Sequence, residues 1–347
     1  VASSAIEYRG AVDTDAEALA AVDAMMGFYD HETGRWEPDR PWWQTGNALQ
    51  ALLDHVHRTG SRRHLWVLDH TVEIQRKAYM FGEFRADSTD DTAWWALAMV
   101  RAYDLTGAGK YLELARTGAE YIGQYWDDVC GGGVWWDVPQ RTYKNAISNE
   151  LYLKLLAALH NRVAGEVGYL DRALAAWRWF RDSGMLNEQD LVDDGLRTQL
   201  GGCGSNRGET WTYNQGVILG ALVELHRATG EAPLLATARR IATATTTSRY
   251  LSPGGILTEP CEDPANGYAD PGEDAPSFKG IFVRNLAELD RVLPGRPYHD
   301  YLRRQAGSAV AHARNDRGQY GMRWAGPFDG ADVARQASAV DLLTALH

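Results

Sequence analysis

Asp90 and Asp91 stand side by side in Asp87-Ser88-Thr89-Asp90-Asp91-Thr92-Ala93-Trp94-Trp95, at the first turn of a segment whose apolar spacing predicts a helix. Adjacent helical side chains diverge by about 100 degrees, yet their carboxyl groups can lie about 5 Å apart. That separation suits displacement at a sugar acetal with retention, in which one carboxylate attacks the anomeric carbon and the other protonates the leaving oxygen. Like charges this close cannot both ionise freely, so one pKa should rise toward the value an acid catalyst needs. The helix N-terminus favours the ionised partner. Once the nucleophile is glycosylated and neutral, its neighbour's pKa should fall, and the neighbour can act as base toward water. Asp127-Asp128, after a helix end, and Asp193-Asp194, in a loop before Gly195, are expected instead to be solvated turns or caps.

Helical periodicity dominates the chain, and no convincing pair of alternating strands is read. Helices are expected over about 15–29, 45–58, 63–80, 90–106 and 110–126, then from near Asn149, Val167, Tyr213, Pro233, Phe278, Tyr298 and Ala331. Glycine-containing breaks recur between the helices of a pair, at Thr59-Gly60, Thr106-Gly107, Ala164-Gly165, Thr229-Gly230 and Pro294-Gly295. The repeat spans roughly 45–65 residues, and six such hairpins can close into an (α/α)6 barrel in one domain over residues 1–347. An open solenoid would have shorter, more uniform repeats. In a closed ring every second helix is internal, so the inner N-termini gather at one mouth. Gln44, Asn47, Asp90, Asp91, Asn145, Asn149, Tyr213, Asn214, Gln215, Lys279, Arg335 and Gln336 stand at those starts. The loops 130–145, 193–212 and 253–277 precede inner helices and should cover the same mouth. Each polar residue could simply be a helix cap; their convergence argues for a site on a rigid scaffold.

The composition is that of a globular protein, with 45% hydrophobic and 23% charged residues. No apolar run reaches the roughly 20 residues of a membrane span. A net charge of −11 argues against a nucleic-acid partner. Thirteen Trp and sixteen Tyr supply faces that can stack on sugar rings or fill a core. Cys130, Cys203 and Cys261 lack metal-ligand spacing; a Cys203–Cys261 bridge and three free thiols are the two readings left open. The start Val1-Ala2-Ser3-Ser4 suits a mature N-terminus after signal cleavage, or a trimmed chain.

Asp90-Asp91 before Trp94-Trp95, Gly131-Gly132-Gly133-Val134-Trp135-Trp136, and Lys144-Asn145-Ala146-Ile147-Ser148-Asn149-Glu150 together closely resemble glycoside hydrolase family 76. Thr212-Tyr213-Asn214-Gln215-Gly216 and Phe278-Lys279-Gly280-Ile281-Phe282-Val283-Arg284 extend the resemblance, in the family's order, over about 40–345. It implies a retaining endo-α-1,6-mannanase on an (α/α)6 barrel, with no metal and no cofactor. The partner would be α-mannan or a mannan-containing glycolipid or oligosaccharide, met as a secreted, cell-surface or periplasmic monomer. Carried onto this chain, Asp90 is the nucleophile and Asp91 the general acid/base, an order that only the resemblance supplies. Trp94, Trp135 and Trp136 are expected to bind sugar, with one of the last two packing the loop onto the rim. Asn145, Asn149, Tyr213, Asn214, Gln215 and Lys279 are expected to contact hydroxyls.

Other readings fit less well. A class II terpene cyclase would need an acidic residue where Ser88 stands. An epimerase would want histidines at the inner mouth, and most of the ten lie elsewhere. A glycan-binding protein would not need both carboxylates. Transglycosylation, which fungal relatives of the family imply, differs only in the acceptor that intercepts the glycosyl-enzyme.

Overall fold

Helices alternate along the chain in a computed structural model that describes residues 13–165, 168–199 and 201–347. They are α1 (Thr14–Met26), α2 (Trp42–Thr59), α3 (Trp66–Ala78), α4 (Thr89–Thr106), α5 (Gly109–Gly123) and α6 (Ala146–His160). The second half holds α7 (Tyr169–Asp182), α8 (Thr212–Thr229), α9 (Ala232–Thr247), α10 (Phe278–Val292), α11 (His299–His312) and α12 (Val333–Thr344). Expected helix starts fall within a few residues of these; Val167 and the first four residues lie outside the described residues. Two short strands not read from the sequence, β1 (Tyr29–Asp30) and β2 (Arg35–Trp36), pair antiparallel before α2.

The Thr-Gly breaks have a common physical cause. Gly60, Gly107 and Gly230 adopt φ of 74°, 68° and 72°, a left-handed conformation that favours glycine. Each glycine N–H caps the carbonyl four residues back, on Val56, Tyr103 and His226. The preceding Thr59, Thr106 and Thr229 hydroxyls donate to His55, Ala102 and Leu225 carbonyls at 2.7–3.0 Å. Each hydroxyl also accepts the N–H two residues on, so the stop and the next turn are fixed together.

Helices α2, α4, α6, α8, α10 and α12 pack in that order, and α12 returns to α2, closing the inner ring of an (α/α)6 barrel. Helices α5, α7 and α9 pack outside α4, α6 and α8, and α1 packs on α12. Inner helices are buried nearly all round, as a helix enclosed on every side must be. Close approach is built in at Gly216 and Gly280: a Cβ there would meet Phe282 Cα at 2.5 Å and Ser338 Cα at 2.4 Å.

The barrel axis away from the mouth is charged rather than apolar. Arg101 bridges Asp54 at 2.7 Å and Asp104 at 3.2 Å, Lys154 meets Glu288 at 3.2 Å, and Arg162 joins Asp104 to Glu224. Against burial, which raises it, Lys154 and Arg101 pull the Glu288 carboxyl down to about 2. The network takes a residue from each of five inner helices, so it links the ring electrostatically below the mouth.

The disulfide is Cys130–Cys203, with Cα atoms 5.3 Å apart, which corrects both sequence readings. It ties the loop before α6 to the loop before α8. Cys261 lies buried and free, its thiol pushed up to about 12 by burial. Among the described residues, no helix is long and apolar enough to cross a membrane.

Candidate active site

Asp90 and Asp91 are the second and third residues of α4, both partly exposed at the mouth formed by the inner N-termini. The turn they occupy is held by the tryptophan loop. Thr89 N donates to the Trp136 carbonyl at 2.8 Å, and the buried Thr89 hydroxyl donates to the Trp135 carbonyl at 2.6 Å. Val138 N reaches back to the Asp87 carbonyl at 2.8 Å, so 87–89 and 135–138 pair like a short ribbon.

The two carboxyls have different surroundings. Burial raises the Asp90 pKa to about 6, against hydrogen bonds from the Ser88 side chain, the Asp91 N–H and the Trp136 side chain. The Asp91 N–H lies 2.9 Å from Asp90 Oδ1. Burial first, and then the charges of Asp90, Asp274 and Asp87, push Asp91 well above the usual carboxylate range. The hydrogen bonds on Asp90 favour its anion and the charge of Asp90 favours the protonated form of Asp91, so a proton retained by the pair resides on Asp91.

Beneath the pair lies a closed aromatic ring, one residue from each of four inner helices. Trp43 stacks on Trp94 at 5.7 Å, Trp94 on Tyr213 at 6.4 Å and Tyr213 on Phe278 at 3.8 Å, and Phe278 returns to Trp43 at 6.4 Å. Arg284 supports the ring from within the barrel, 5.8 Å from the Trp94 centroid, while bonding Asn47 Oδ1 at 2.7 Å. The Tyr213 hydroxyl is kept protonated by burial and by the charges of Asp194, Asp90 and Asp274, which surround it.

Of the two tryptophans, Trp136 is 38% exposed and faces the carboxylates, whereas Trp135 is 5% exposed and turned into the rim. Trp135 Nε1 donates to Asp127 Oδ2 at 2.7 Å, and Lys144 Nζ lies 4.8 Å from its ring. Asp127 is thus structural, but as the partner of Trp135 and the buried Lys144 rather than as a solvated turn. Asp193 is structural too, though buried rather than solvated, accepting from Asn187 and Ser205.

Several polar residues expected at the mouth, most of them to meet hydroxyls, are occupied by the protein itself. Asn149 clamps Val134, accepting from its N–H at 2.8 Å and donating to its carbonyl at 3.1 Å. Gln215 does the same to Val192, at 2.7 and 2.9 Å. Gln336 takes the Tyr320 N–H at 3.0 Å and donates to the Ala21 and Gly318 carbonyls. A carboxamide carries one donor group and one acceptor, so it pairs with a loop's backbone as a strand would. Lys279 is also withdrawn, buried against Glu262 at 3.0 Å and 4.6 Å from the Trp324 centroid. Asn145 caps α6, its side-chain oxygen taking Ser148 N at 3.2 Å. Arg335 pairs with Asp332 and Asp329.

Four groups that the sequence did not assign to the site join it: Asp274, Asp194, Phe278 and Trp43. Asp274, at the end of the loop before α10, acts electrostatically on both Asp90 and Asp91 and accepts from Trp43 Nε1 at 2.9 Å. Gln44 pins that loop through the Glu273 carbonyl at 2.7 Å. Asp194, read as a turn residue, takes a hydrogen bond from the Tyr143 hydroxyl and faces the fully buried Asn214. Phe278 completes the aromatic ring. Phe278 and Trp43 had a usable signal, their place at an inner helix start.

A closed ring of helical hairpins with a carboxylate pair over an aromatic floor has the architecture of a helical-barrel glycosidase. The chain belongs to glycosyl hydrolase family 76, whose sequence profile matches residues 13–347. An α-1,6-mannanase of Salegentibacter sp. HEL1_6, in an inactive form with two consecutive aspartates replaced by alanine and α-1,6-mannotetrose bound, has a similar structure. Its TM-score is 0.87 at 26% identity, covering 96% of this chain and 99% of that one. A mannan endo-1,6-alpha-mannosidase of Candida albicans is 25% identical over 367 residues, covering 96% of this chain and 80% of that protein. A Schizosaccharomyces pombe protein is 28% identical over 298 residues, and the match takes in 81% of this chain but only 66% of that protein's length.

Proposed function

We propose that this protein hydrolyses internal α-1,6-mannosidic bonds of mannan with retention, through a covalent glycosyl-enzyme on Asp90. The observation that carries the reading is the unequal surroundings of the pair: Asp90 accepts hydrogen bonds that favour its anion, whereas burial and the Asp90 charge favour a proton on Asp91. In the first step the Asp90 carboxylate bonds to the anomeric carbon while Asp91 gives its proton to the departing oxygen. Esterified Asp90 carries no charge, which removes one of the groups raising the Asp91 pKa. Asp91 then takes a proton from water, the hydroxyl bonds to the anomeric carbon, and the Asp90 carboxylate leaves. Trp136 and the aromatic floor offer apolar faces to the sugar ring, and Tyr213 offers a protonated hydroxyl. The Salegentibacter mannanase, inactivated at two consecutive aspartates and bound to an α-1,6-linked tetrasaccharide, supports both the pair and the linkage.

The test is incubation of wild type, Asp90→Asn and Asp91→Asn with linear α-1,6-mannan, followed by chromatography and anomeric NMR. Oligosaccharides released first as the α-anomer by wild type, and by neither variant, are the expected result. Release of the β-anomer would overturn retention, and activity surviving both substitutions would place the chemistry elsewhere.

A further inference from the structure

The aromatic floor does not end at Phe278. Trp211 meets it edge-on at 5.7 Å, and Tyr268 follows Trp211 at 5.6 Å, leading out of the barrel mouth along the loops before α8 and α10. The track finishes on an unusual arrangement. One carboxylate oxygen, Glu209 Oε2, accepts from the Tyr268 hydroxyl at 2.7 Å and from the Tyr250 hydroxyl at 2.9 Å. Its other oxygen accepts Thr210 N at 3.0 Å. Tyr250 is 41% exposed, and Trp211, Tyr268 and Glu209 are partly so, although none of them is needed to close the inner ring.

We propose that Trp211, Tyr268 and Tyr250, oriented by Glu209, form a distal subsite for a further mannosyl unit of the chain bound over Asp90 and Asp91. The occupant follows from continuity: rings spaced at 5.6–5.7 Å run without a break from the floor under the carboxylates to the Glu209 cluster. The chemistry fits a sugar rather than an apolar ligand. Each tyrosine spends its proton on Glu209 and keeps hydroxyl lone pairs that can accept from a sugar hydroxyl, while its ring offers an apolar face. Two tyrosines fixed by one carboxylate lose little freedom on binding, so the site is organised before the ligand arrives. Burial, followed by Glu209, raises both tyrosine pKa values, so the hydroxyls stay protonated across the working pH range.

This inference rests on the mannanase reading, and the experiment separates the two. The Asp90→Asn, Asp91→Asn double variant is titrated calorimetrically with α-1,6-mannooligosaccharides of increasing length, with and without Tyr250→Ala and Tyr268→Ala. Affinity should rise with length until the distal unit is reached, and the tyrosine-to-alanine protein should lose that last gain, about tenfold, or roughly 1.4 kcal/mol. Tyr268→Phe, which keeps the ring, should retain most of it, and thermal unfolding of each variant monitors the fold. An equal length dependence with and without the tyrosines would overturn the distal subsite and leave the mannanase reading standing. Binding at no length, together with no cleavage of mannan by wild type, would overturn both.

Discussion

Thr89 and Trp136 are joined backbone to backbone, the Thr89 N–H on the Trp136 carbonyl at 2.8 Å. The turn that carries the two carboxylates and the indole that reaches Asp90 therefore move as one body, and the Trp136 hydrogen bond favours the anionic form of Asp90. Replacing Trp136 with Phe keeps an aromatic face but removes that bond. The Asp90 pKa should rise from about 6, so the acid limb of the kcat/KM profile should move to higher pH, with kcat at its optimum falling about tenfold. An unmoved acid limb would show that Trp136 serves only as a wall.

Asp274 acts in the opposite sense. Its negative charge raises both Asp90 and Asp91. In Asp274→Asn both pKa values should fall, so both limbs of the pH–rate profile should shift toward acid. Near neutral pH the variant should be slower, because Asp91 loses its proton earlier. A change in rate without a shift of either limb would mean that Asp274 acts by positioning Trp43 alone.

Lys279, second residue of an inner helix, reads as a site lysine only when the chain is taken in one dimension. In the structure its ammonium is shut in with Glu262, and removing one partner leaves the other charge buried and unpaired. Lys279→Ala should cost about 3–5 kcal/mol of stability by denaturant unfolding. The folded fraction should retain a KM within about twofold of wild type. A large rise in KM with unaltered stability would return Lys279 to the substrate.

What the sequence disclosed and withheld follows from the range of the forces involved. The Thr-Gly stops, the pairing of helices and the placement of Asp90-Asp91 at an inner helix start depend on neighbours in the chain, and local pattern registers those. The partners of Asn149, Gln215 and Lys279 lie on loops whose course is set by tertiary packing. A carboxamide facing a backbone and one facing a sugar look identical in one dimension. Asp274 and Asp194 reach the mouth only because their loops fold back over it. The Cys130–Cys203 pairing is hidden from the sequence for the same reason: all three cysteines lie within mouth loops, and only closure of the ring brings 130 and 203 together.

The Cys130–Cys203 bridge spans 73 residues and fastens the Trp135–Trp136 loop to the Asp194 loop. In the chain-entropy view a loop of this length contributes about 4 kcal/mol. Cys130→Ser should lower the melting temperature by several degrees and raise KM for mannan more than it lowers kcat. Reduction with dithiothreitol should produce the same change in wild type and none in the variant. A KM unaltered by both treatments would mean that the mouth loops hold their positions without the bridge.

Buried carboxyls give the fold a pH dependence separate from catalysis. Burial raises Glu259 to about 8, and Asp341 to about 8 against the pull of Arg284. A carboxyl whose folded pKa is raised binds more protons in the native state than in the unfolded chain. Its contribution is therefore fully present below the unfolded pKa of about 4.3 and is lost as pH rises through about 8. The melting temperature should accordingly fall between pH 5 and pH 8 by several degrees. Glu259 caps α8 by accepting Thr212 N at 2.8 Å, a bond that a neutral carboxamide oxygen can also accept. Glu259→Gln should thus keep the cap, flatten the decline and raise the melting temperature at pH 8 relative to wild type. A steeper decline in that variant would show that the Glu259 anion, beside Lys279, is a stabilising charge in the fold.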